Sequence, residues 1–435
     1  MAQQQEDADV RVGVENLKIG MYVARLDRPW EESPFTLQGM WIETPEDIQR
    51  LRKTCRYVFV SQRLSTEHIP REAISLAPTE DSEEQDLGSI AGKVKFHSRR
   101  RMDEWVKGKT PPGQREIQVV RHVDSVPVSK ELSDARVAVA DLEASIAFAV
   151  ESISSGEAIN FRAISSATKE LARSLIRNPD AAIGLAMGRK QIPYTLRHCV
   201  NMAVWAMALG RQLGLPADDL TLLGLGATLC DLGREKLPTE LLERPGSLSH
   251  WELGVIREHV AFSLELLESG DELDPAVLAM VAQHHEHLDG SGYPQSLKGR
   301  MIDLYARIAR IADCFEAMIT NSPYRTALPV SQAVKQLYAL RGTHFQRGLV
   351  ESFISAIGIY PAGTTVRLSS KECGVVISDS RSKHLKPVVW RMLDEDGLAF
   401  GRPGALDLSS DTKKRQIVKD FTDGELGISA RSYFC

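Results

Sequence analysis

The sequence lacks the marks of several protein classes. Its six cysteines are scattered and never form a Cys-x-x-Cys pair, which argues against a disulfide framework and a zinc ribbon. No apolar run approaches the roughly 18 residues of a membrane-spanning helix. Residues 1–10 are polar and acidic rather than signal-like, so we expect a cytoplasmic protein without membrane insertion.

A strong net charge is missing as well. A formal charge of -5 gives no general attraction to polymeric nucleic acid or to anionic lipid. An anionic ligand must therefore be bound by a local basic cluster. The 435 residues, 43% hydrophobic and 26% charged, instead fit a globular protein of two or three domains.

The sequence pattern predicts a mainly α protein in four segments. Near the start, alternating strands flank a helix that Thr44 caps and Pro45 opens. The stretch at 77–84 is acidic and poor in structure-forming residues. We predict a small N-terminal α+β domain, a partly disordered linker, a helical domain and a short C-terminal β appendage, at residues 1–68, 69–128, 129–362 and 363–435.

Apolar residues at three- and four-residue spacing predict the helices of the third segment. These helices lie at 133–150, 166–176, 195–213, 220–232, 250–269, 275–285, 304–320, 331–340 and 347–357. Alternation with period two predicts strands at 364–368, 374–377, 387–392 and 398–400. Bundles of this kind commonly build binding sites from inward-facing side chains.

Residues 284–294 read HHEHLDGSGYP and are the most distinctive stretch of the chain. The adjacent His284 and His285 close a helical run, and His287 follows. Neutral imidazole is the commonest protein ligand for a divalent metal, so this stretch indicates a metal site. The plain structural alternative is a helix end where histidines meet the dipole. The turn that follows is shaped by Asp289, Gly290, Gly292 and Pro294.

Several other ionisable residues lie in helices that otherwise look buried. Asp231 ends a very apolar run, where a carboxylate is costly unless it is paired or metal-bound. Asp313 lies on a stripe of small residues, and an ion pair with Arg310 is its alternative interpretation. A lone His198 would more commonly be a satisfied core residue. A two-metal site with one bridging carboxylate needs about the set supplied by His198, Asp231, His259, His284, His285 and Asp313.

The order of these motifs resembles the HD-GYP family, metal-dependent bacterial phosphodiesterases that hydrolyse the second messenger cyclic di-GMP. The resemblance runs from residue 133 to 368. Its most specific parts are HHEHLDGSGYP at 284–294, LKGRMIDLYARIARIADCFEAM at 297–318 and PYR at 323–325. Residues 11–62 also resemble an uncharacterised domain that often precedes this family. The resemblance implies an HD-type helical bundle that converts cyclic di-GMP to pGpG or GMP.

The resemblance also implies two divalent ions, iron or manganese rather than zinc. Asp231 bridges the ions and is catalytic. The second ion is held by Asp231, His259, His284 and His285, and the first by His198, Asp231, Asp313 and Cys230. The family's His-Asp doublet reads Cys230-Asp231 here, so a thiol replaces one imidazole. Cys230 either binds as a thiolate or leaves a gap, because cysteine is shorter than histidine.

On the substrate side, Arg234 stands where the family carries a lysine, and it keeps the positive charge for catalysis and for phosphate binding. Tyr293 and Arg325 are further substrate-binding residues by resemblance. Ser322 replaces a family arginine, so one basic contact is missing. Tyr194 stands where some members carry a glutamate for a third metal, so we expect two ions rather than three.

Three functions remain open from the sequence. The first is a cyclic di-GMP phosphodiesterase, with full or reduced activity. The second is a catalytically degenerate protein that senses cyclic di-GMP. The third is a scaffold that binds a protein partner through the N-terminal domain or the turn at 284–294. The sequence leaves the oligomeric state open.

Overall fold

The computed structural model describes residues 10–27, 40–42, 44–61, 118–188, 193–246, 248–268, 273–323, 325–379 and 385–435. The chain divides into two compact units, Met1–Ala91 and Gly92–Cys435. Residues 69–117 of the linker predicted at 69–128, and with them its predicted partial disorder, lie outside the described residues. Tyr324 of the PYR motif lies outside them too.

The described part of the first unit contains a four-stranded antiparallel sheet, one α-helix and a turn of 3₁₀ helix at Val14–Asn16. The strands are β1 (Val10–Gly13), β2 (Tyr22–Leu26), β3 (Met40–Trp41) and β4 (Tyr57–Ser61), in the order β1-β4-β2-β3. Helix α1 (Pro45–Thr54) begins as predicted, because Thr44 Oγ1 accepts the amide of Asp47 while the Asp47 carboxylate accepts the amide of Thr44. Val12, Val58 and Leu51 close the core between sheet and helix.

The second unit is built mainly of helices, which confirms the predicted mainly α fold. They are α2 (Val128–Ser155), α3 (Phe161–Arg177), α4 (Pro179–Gly188), α5 (Tyr194–Gln212), α6 (Ala217–Leu229), α7 (Thr239–Leu242), α8 (His250–Arg257), α9 (His259–Glu268), α10 (Pro275–Gln283), α11 (Leu304–Ile319), α12 (Val330–Ala339) and α13 (Arg347–Ile357). In the described parts of the chain, none of the helices combines the length and the apolar character needed to span a bilayer.

Helix α5 lies at the centre of this unit and packs against α6, α11 and α13. Its Trp205 meets Phe315 of α11 edge-on, with ring centroids 5.0 Å apart. The indole N–H donates to the carboxylate of Glu316 at 2.8 Å, and the Asn201 amide donates to the same carboxylate at 3.0 Å. These buried contacts fix α5 against α11, the two helices that carry His198 and Asp313.

The structure corrects two helix predictions and adds one helix that was not predicted. The single helix predicted at 250–269 is wrong, because the chain breaks at Glu258 between α8 and α9. His259 Nδ1 donates to the carbonyl of Ile256 at 2.7 Å, so a side chain takes an acceptor that a continuous helix would use. The helix predicted at 220–232 ends at Leu229. Helix α4 was not predicted, since it is apolar on all sides and shows no helical period.

The chain ends in a five-stranded antiparallel sheet, which confirms the small C-terminal β structure. The strands are β5 (Thr365–Leu368), β6 (Cys373–Ser378), β7 (Val388–Leu393), β8 (Ala399–Asp407) and β9 (Ile417–Phe421), in the order β8-β7-β6-β5-β9. The short helix α14 (Arg431–Phe434) follows. Asp420 accepts hydrogen bonds from the amide and hydroxyl of Ser331, which joins β9 to the start of α12.

Residues 118–127, which the sequence assigns to the linker, contain no helix or strand but hydrogen bond to the helical unit. The Val120 amide donates to the carbonyl of Gly214 at 2.8 Å, and Arg211 donates to Asp124 at the same distance. The four segment boundaries proposed from the sequence stay a prediction.

Candidate metal centre

Two groups of possible metal ligands lie side by side in the helical unit. The histidine group consists of Asp231, His259, His284 and His285, and the carboxylate group consists of His198, Asp231 and Asp313. Within each group one ligand atom of every residue lies within 4.8 Å of the others. The residues come from five places: α5, the turn after α6, the start of α9, the turn after α10, and α11. Asp231 belongs to both groups.

The two oxygens of Asp231 face different groups. Asp231 Oδ2 lies 2.9 Å from His198 Nε2, whereas Oδ1 lies 3.3 Å from His259 Nε2. Both oxygens are buried, and apart from these imidazole nitrogens no described residue donates a hydrogen bond to them. Buried carboxylate oxygens normally have hydrogen-bond partners. The Asp231 carboxylate therefore has the position expected of a ligand that bridges two cations.

The histidine group presents bare nitrogens to its centre. His259 Nδ1 donates to the Ile256 carbonyl at 2.7 Å, and His284 Nδ1 donates to the Val281 carbonyl at 2.8 Å. The tautomer is thereby set, and Nε2 carries only a lone pair. His259 Nε2 lies 3.4 Å from His284 Nε2 and 3.1 Å from His285 Nε2. The lone pairs of His259 and His284 repel each other at 3.4 Å unless a cation lies between them, so these residues fit a metal ion.

The protonation states of the histidine group suit metal binding. Burial lowers the pKa of His259 to about 4 and also lowers the pKa values of His284 and His285. Burial by itself would raise the pKa of the Asp231 carboxyl, but His198 and His259 hold it well below its usual range. The histidine group therefore consists of neutral imidazoles and a carboxylate, the forms that coordinate metal.

The carboxylate group is completed by Asp313 on α11. Asp313 Oδ1 lies 3.4 Å from His198 Nε2. The alternative ion pair is present as well, since Arg310 Nη1 donates to Asp313 Oδ2 at 2.6 Å. The sequence analysis treats metal binding and an ion pair with Arg310 as alternatives for Asp313. In the structure, Oδ2 accepts from Arg310 and Oδ1 faces His198.

Comparison with known proteins bears on the same residues. A family model described as an HD domain matches residues 172–349, and a model of a domain of unknown function, DUF3391, matches residues 9–164. Residues 172–349 thus resemble an HD domain. This confirms the resemblance seen in the sequence, including the uncharacterised N-terminal domain.

Several relatives of this chain are curated phosphodiesterases. A cyclic di-GMP phosphodiesterase of Pseudomonas aeruginosa is 26% identical over 381 residues, which is 87% of this chain and 84% of the relative. The cyclic di-GMP phosphodiesterase response regulator RpfG of Xanthomonas campestris is 36% identical over 155 residues, 35% of this chain and 41% of the relative. A 3'3'-cGAMP-specific phosphodiesterase of Vibrio cholerae is 35% identical over 144 residues, 33% of this chain and 31% of the relative.

A solved structure of an HDG"Y"P protein from Bdellovibrio bacteriovorus is also similar. It is 17% identical, covers 79% of this chain and 97% of its own, and superposes with a TM-score of 0.39.

Cys230 is the one predicted ligand that neither group includes. Its side chain is fully buried, and burial raises the pKa of the thiol well above its ordinary value. Its carbonyl accepts the hydroxyl of Ser263 at 2.8 Å, and the same hydroxyl accepts the amide of Gly233 at 2.8 Å. The segment around Asp231 is thereby tied to α9.

Gly233 allows this close approach. A Cβ atom at Gly233 would lie 2.1 Å from the carbonyl oxygen of His259 and 2.4 Å from the amide nitrogen of Ser263. Both are backbone atoms, so any larger residue must push α9 away from Asp231. The glycine therefore sets the distance between the Asp231 carboxylate and His259.

The turn at 284–294 is fastened by Glu286, whose role the sequence analysis missed. Its carboxylate is buried and accepts the amides of Gln295 at 2.7 Å and Leu297 at 3.0 Å. A Cβ atom at Gly292 would lie 2.3 Å from the amide nitrogen of His287, so the turn packs directly against the ligand segment. The carboxylate between two histidines in HHEHLDG was the available signal.

The other predicted turn residues stabilise the conformation of this loop at the protein surface. Asp289 Oδ1 accepts the amide and the hydroxyl of Ser291, at 2.9 Å and 2.7 Å. Gly290 has a φ of 85°, which favours glycine, and Pro294 follows Tyr293. The Tyr293 ring stacks on His285 with centroids 4.6 Å apart.

The two predicted arginines lie in different settings. Arg234 is in the turn of 3₁₀ helix at Leu232–Lys236, and its guanidinium lies 5.4 Å from the ring centroid of Tyr194. That ring stacks on His198 with centroids 5.5 Å apart, so Arg234 is near the carboxylate group. Arg325, in contrast, donates to the backbone carbonyl of Ala317.

Proposed function

We propose that this protein is a metal-dependent phosphodiesterase that hydrolyses cyclic di-GMP to pGpG or GMP. The observation that carries the proposal is the Asp231 carboxylate, whose two buried oxygens face two separate ligand groups. The curated relatives named as cyclic di-GMP phosphodiesterases support the choice of substrate, since one of them aligns with 87% of this chain. We place the reaction in the cytoplasm, as part of bacterial second-messenger signalling.

Two divalent ions are the proposed cofactors, one in each ligand group. The ligand atoms are nitrogen and oxygen without sulfur, which suits iron or manganese better than a thiolate-seeking ion. Divalent ions bound here would neutralise charge on a phosphodiester and would make water acidic enough to act as a nucleophile at neutral pH. The resemblance offers Cys230 as a further ligand of the first ion, but its buried thiol lies outside both ligand groups, and the variant Cys230→Ala tests it.

The protein's own residues divide the remaining work. Asp231 bridges the two groups and is catalytic in this proposal. Arg234 adds positive charge beside the carboxylate group, where a phosphate would need it. Tyr293 packs against His285, so in our proposal it positions the substrate beside that ligand. Arg325 would have to release the Ala317 carbonyl in order to contact the substrate.

Metal content and turnover test the proposal together. The full chain would be loaded with Mn²⁺, Fe²⁺ or Zn²⁺, its ions counted, and its hydrolysis of cyclic di-GMP measured. We expect the wild-type chain to bind two ions and to hydrolyse cyclic di-GMP. In Asp231→Ala, the bound ions and the hydrolysis should both be lost. Asp218→Asn, an exposed carboxylate on α6, is the matched control and should change neither. Metal-loaded protein without turnover of any cyclic dinucleotide would contradict the proposal.

A degenerate cyclic di-GMP sensor is the second candidate. The observation that favours it is Cys230, which leaves the first ion with three protein ligands where the family pattern has an added histidine. Binding of cyclic di-GMP without hydrolysis would identify the sensor. A scaffold that binds a protein partner through the N-terminal domain or the turn, as a monomer or an oligomer, would show neither.

A further inference from the structure

Arg310 links a candidate metal ligand to the turn at 284–294. Its Nη1 donates to Asp313 Oδ2 at 2.6 Å, and its Nη2 donates to His287 Nε2 at 2.9 Å. His287 belongs to neither ligand group, although it lies two residues beyond His285. The two-metal arrangement does not by itself require this contact.

The guanidinium is divided between two acceptors. An arginine beside a carboxylate commonly binds both of its oxygens through two parallel N–H bonds. Here His287 accepts the second N–H, and Asp313 Oδ1 faces His198 Nε2 at 3.4 Å instead. Arg310 therefore leaves Asp313 Oδ1 free, and this is the oxygen that faces His198 of the carboxylate group.

His287 is held in the state that accepts from Arg310. Arginine can only donate, so His287 Nε2 carries no hydrogen and Nδ1 carries it. Nδ1 donates to Ser291 Oγ at 2.8 Å, and Ser291 Oγ donates to Asp289 Oδ1 at 2.7 Å. The ring also stacks on His344, with centroids 4.1 Å apart and planes 12° apart. The surface turn thus fixes both the tautomer and the orientation of His287.

We propose that His287 is a positioning residue that keeps Arg310 from binding both oxygens of Asp313, and so reserves one oxygen for the ion of the carboxylate group. This inference rests on the metal centre proposed above. It assigns the third histidine of HHEHLDG a role in metal binding without making it a ligand. It also couples the exposed Asp289–Ser291 turn to the buried ion.

Calorimetric titration of the metal-free full chain with Mn²⁺ tests the role. His287→Phe keeps the ring on His344 but removes the acceptor. We expect the ion of the carboxylate group to bind about 10-fold more weakly, the low end of the effect of removing an outer partner of a ligand. The ion of the histidine group should be unaffected. His287→Gln, which restores an acceptor, should recover the affinity. His344→Phe, which keeps the stack, is the control.

Ser291→Ala gives a milder version of the same change, because it removes the bond that fixes His287. We expect a loss of about 3-fold for the same ion, smaller than for a direct outer partner. This variant leaves every buried residue in place, so it also tests the role if His287→Phe does not fold.

The decisive step repeats the measurement in an Arg310→Met background. With no arginine to compete for Asp313, His287→Phe should no longer weaken binding, because the two changes act through one contact. An equal loss in both backgrounds would overturn the proposal, and so would no loss in either. A wild-type chain that binds no Mn²⁺ would overturn the metal centre together with it. Two-ion binding that His287→Phe leaves unchanged would overturn this inference alone.

Discussion

The histidine group and the carboxylate group are held in different ways. In the histidine group, His259 and His284 each donate Nδ1–H to a carbonyl three residues earlier, so the local backbone orients the rings. In the carboxylate group, His198 Nδ1 has no hydrogen-bond partner among the described residues, and the ring rests on Tyr194. Asp313 shares its carboxylate with Arg310. The histidine group is thus organised by its own segments, whereas the carboxylate group depends on contacts from elsewhere.

This difference predicts unequal binding of the two ions. The locally organised group should bind its ion first and more tightly, because its ligands lose little freedom on binding. The other ion should bind second and respond to changes outside its ligands. Four changes test the comparison, from the largest expected effect to the smallest.

His284→Ala should have the largest effect. It removes a ligand of the tighter group, so we expect a loss of more than about 100-fold in Mn²⁺ affinity, beyond the 10–100-fold typical of an outer partner. Turnover of cyclic di-GMP should fall with it. Metal content after dialysis measures the effect, with His122→Ala, a histidine that belongs to neither group, as the control. Retention of two ions would break the comparison.

Removal of metal should lower the free energy of unfolding. Ions that bind only the folded state stabilise it, by about 2.7 kcal/mol when the free ion is at 100 times its Kd. Urea unfolding with Mn²⁺ and with a chelator would measure the difference. Asp231→Ala should show no such difference, since it removes the ligand common to both groups. If Mn²⁺ stabilised Asp231→Ala as much as the wild type, the stabilising ions would bind outside the two ligand groups.

Gly233→Ala should weaken the binding of both ions. The added methyl group meets backbone atoms of α9 within 2.4 Å, so the helix carrying His259 must move away from Asp231. We expect a destabilisation of about 1–3 kcal/mol, typical of overpacking. Chemical denaturation and metal titration would report it. The matched change Gly254→Ala, where a Cβ meets nothing within 4 Å, should be silent.

The residue types and their order were enough to predict which side chains meet in the candidate metal centre, but not the contacts that hold them. His198, Asp231, His259, His284, His285 and Asp313 are polar residues in apolar helices, and that contrast is visible in the sequence. The division of Arg310 between Asp313 and His287 is not visible, because it joins two elements whose spacing only the folded chain sets. The break at Glu258 escaped prediction for a similar reason, since a side chain replaces a backbone donor there.

Cys230→Ala should have the smallest effect. The thiol lies outside both ligand groups and is buried, so its loss leaves the coordinating atoms in place. Metal affinity and turnover should stay within about twofold of the wild type, although a small cavity will lower stability by about 1 kcal/mol. A loss of one ion would show that the thiol is a ligand. The carboxylate group would then have four protein ligands, as the histidine group has.

The most direct measurement of the central claim is the electron paramagnetic resonance spectrum of the chain loaded with two equivalents of Mn²⁺. If Asp231 bridges the two groups, the ions lie close enough for their spins to couple, and the spectrum is that of a pair. The coupling should disappear in Asp231→Ala. Two uncoupled Mn²⁺ signals in the wild-type chain would contradict the shared carboxylate and, with it, the two-metal account.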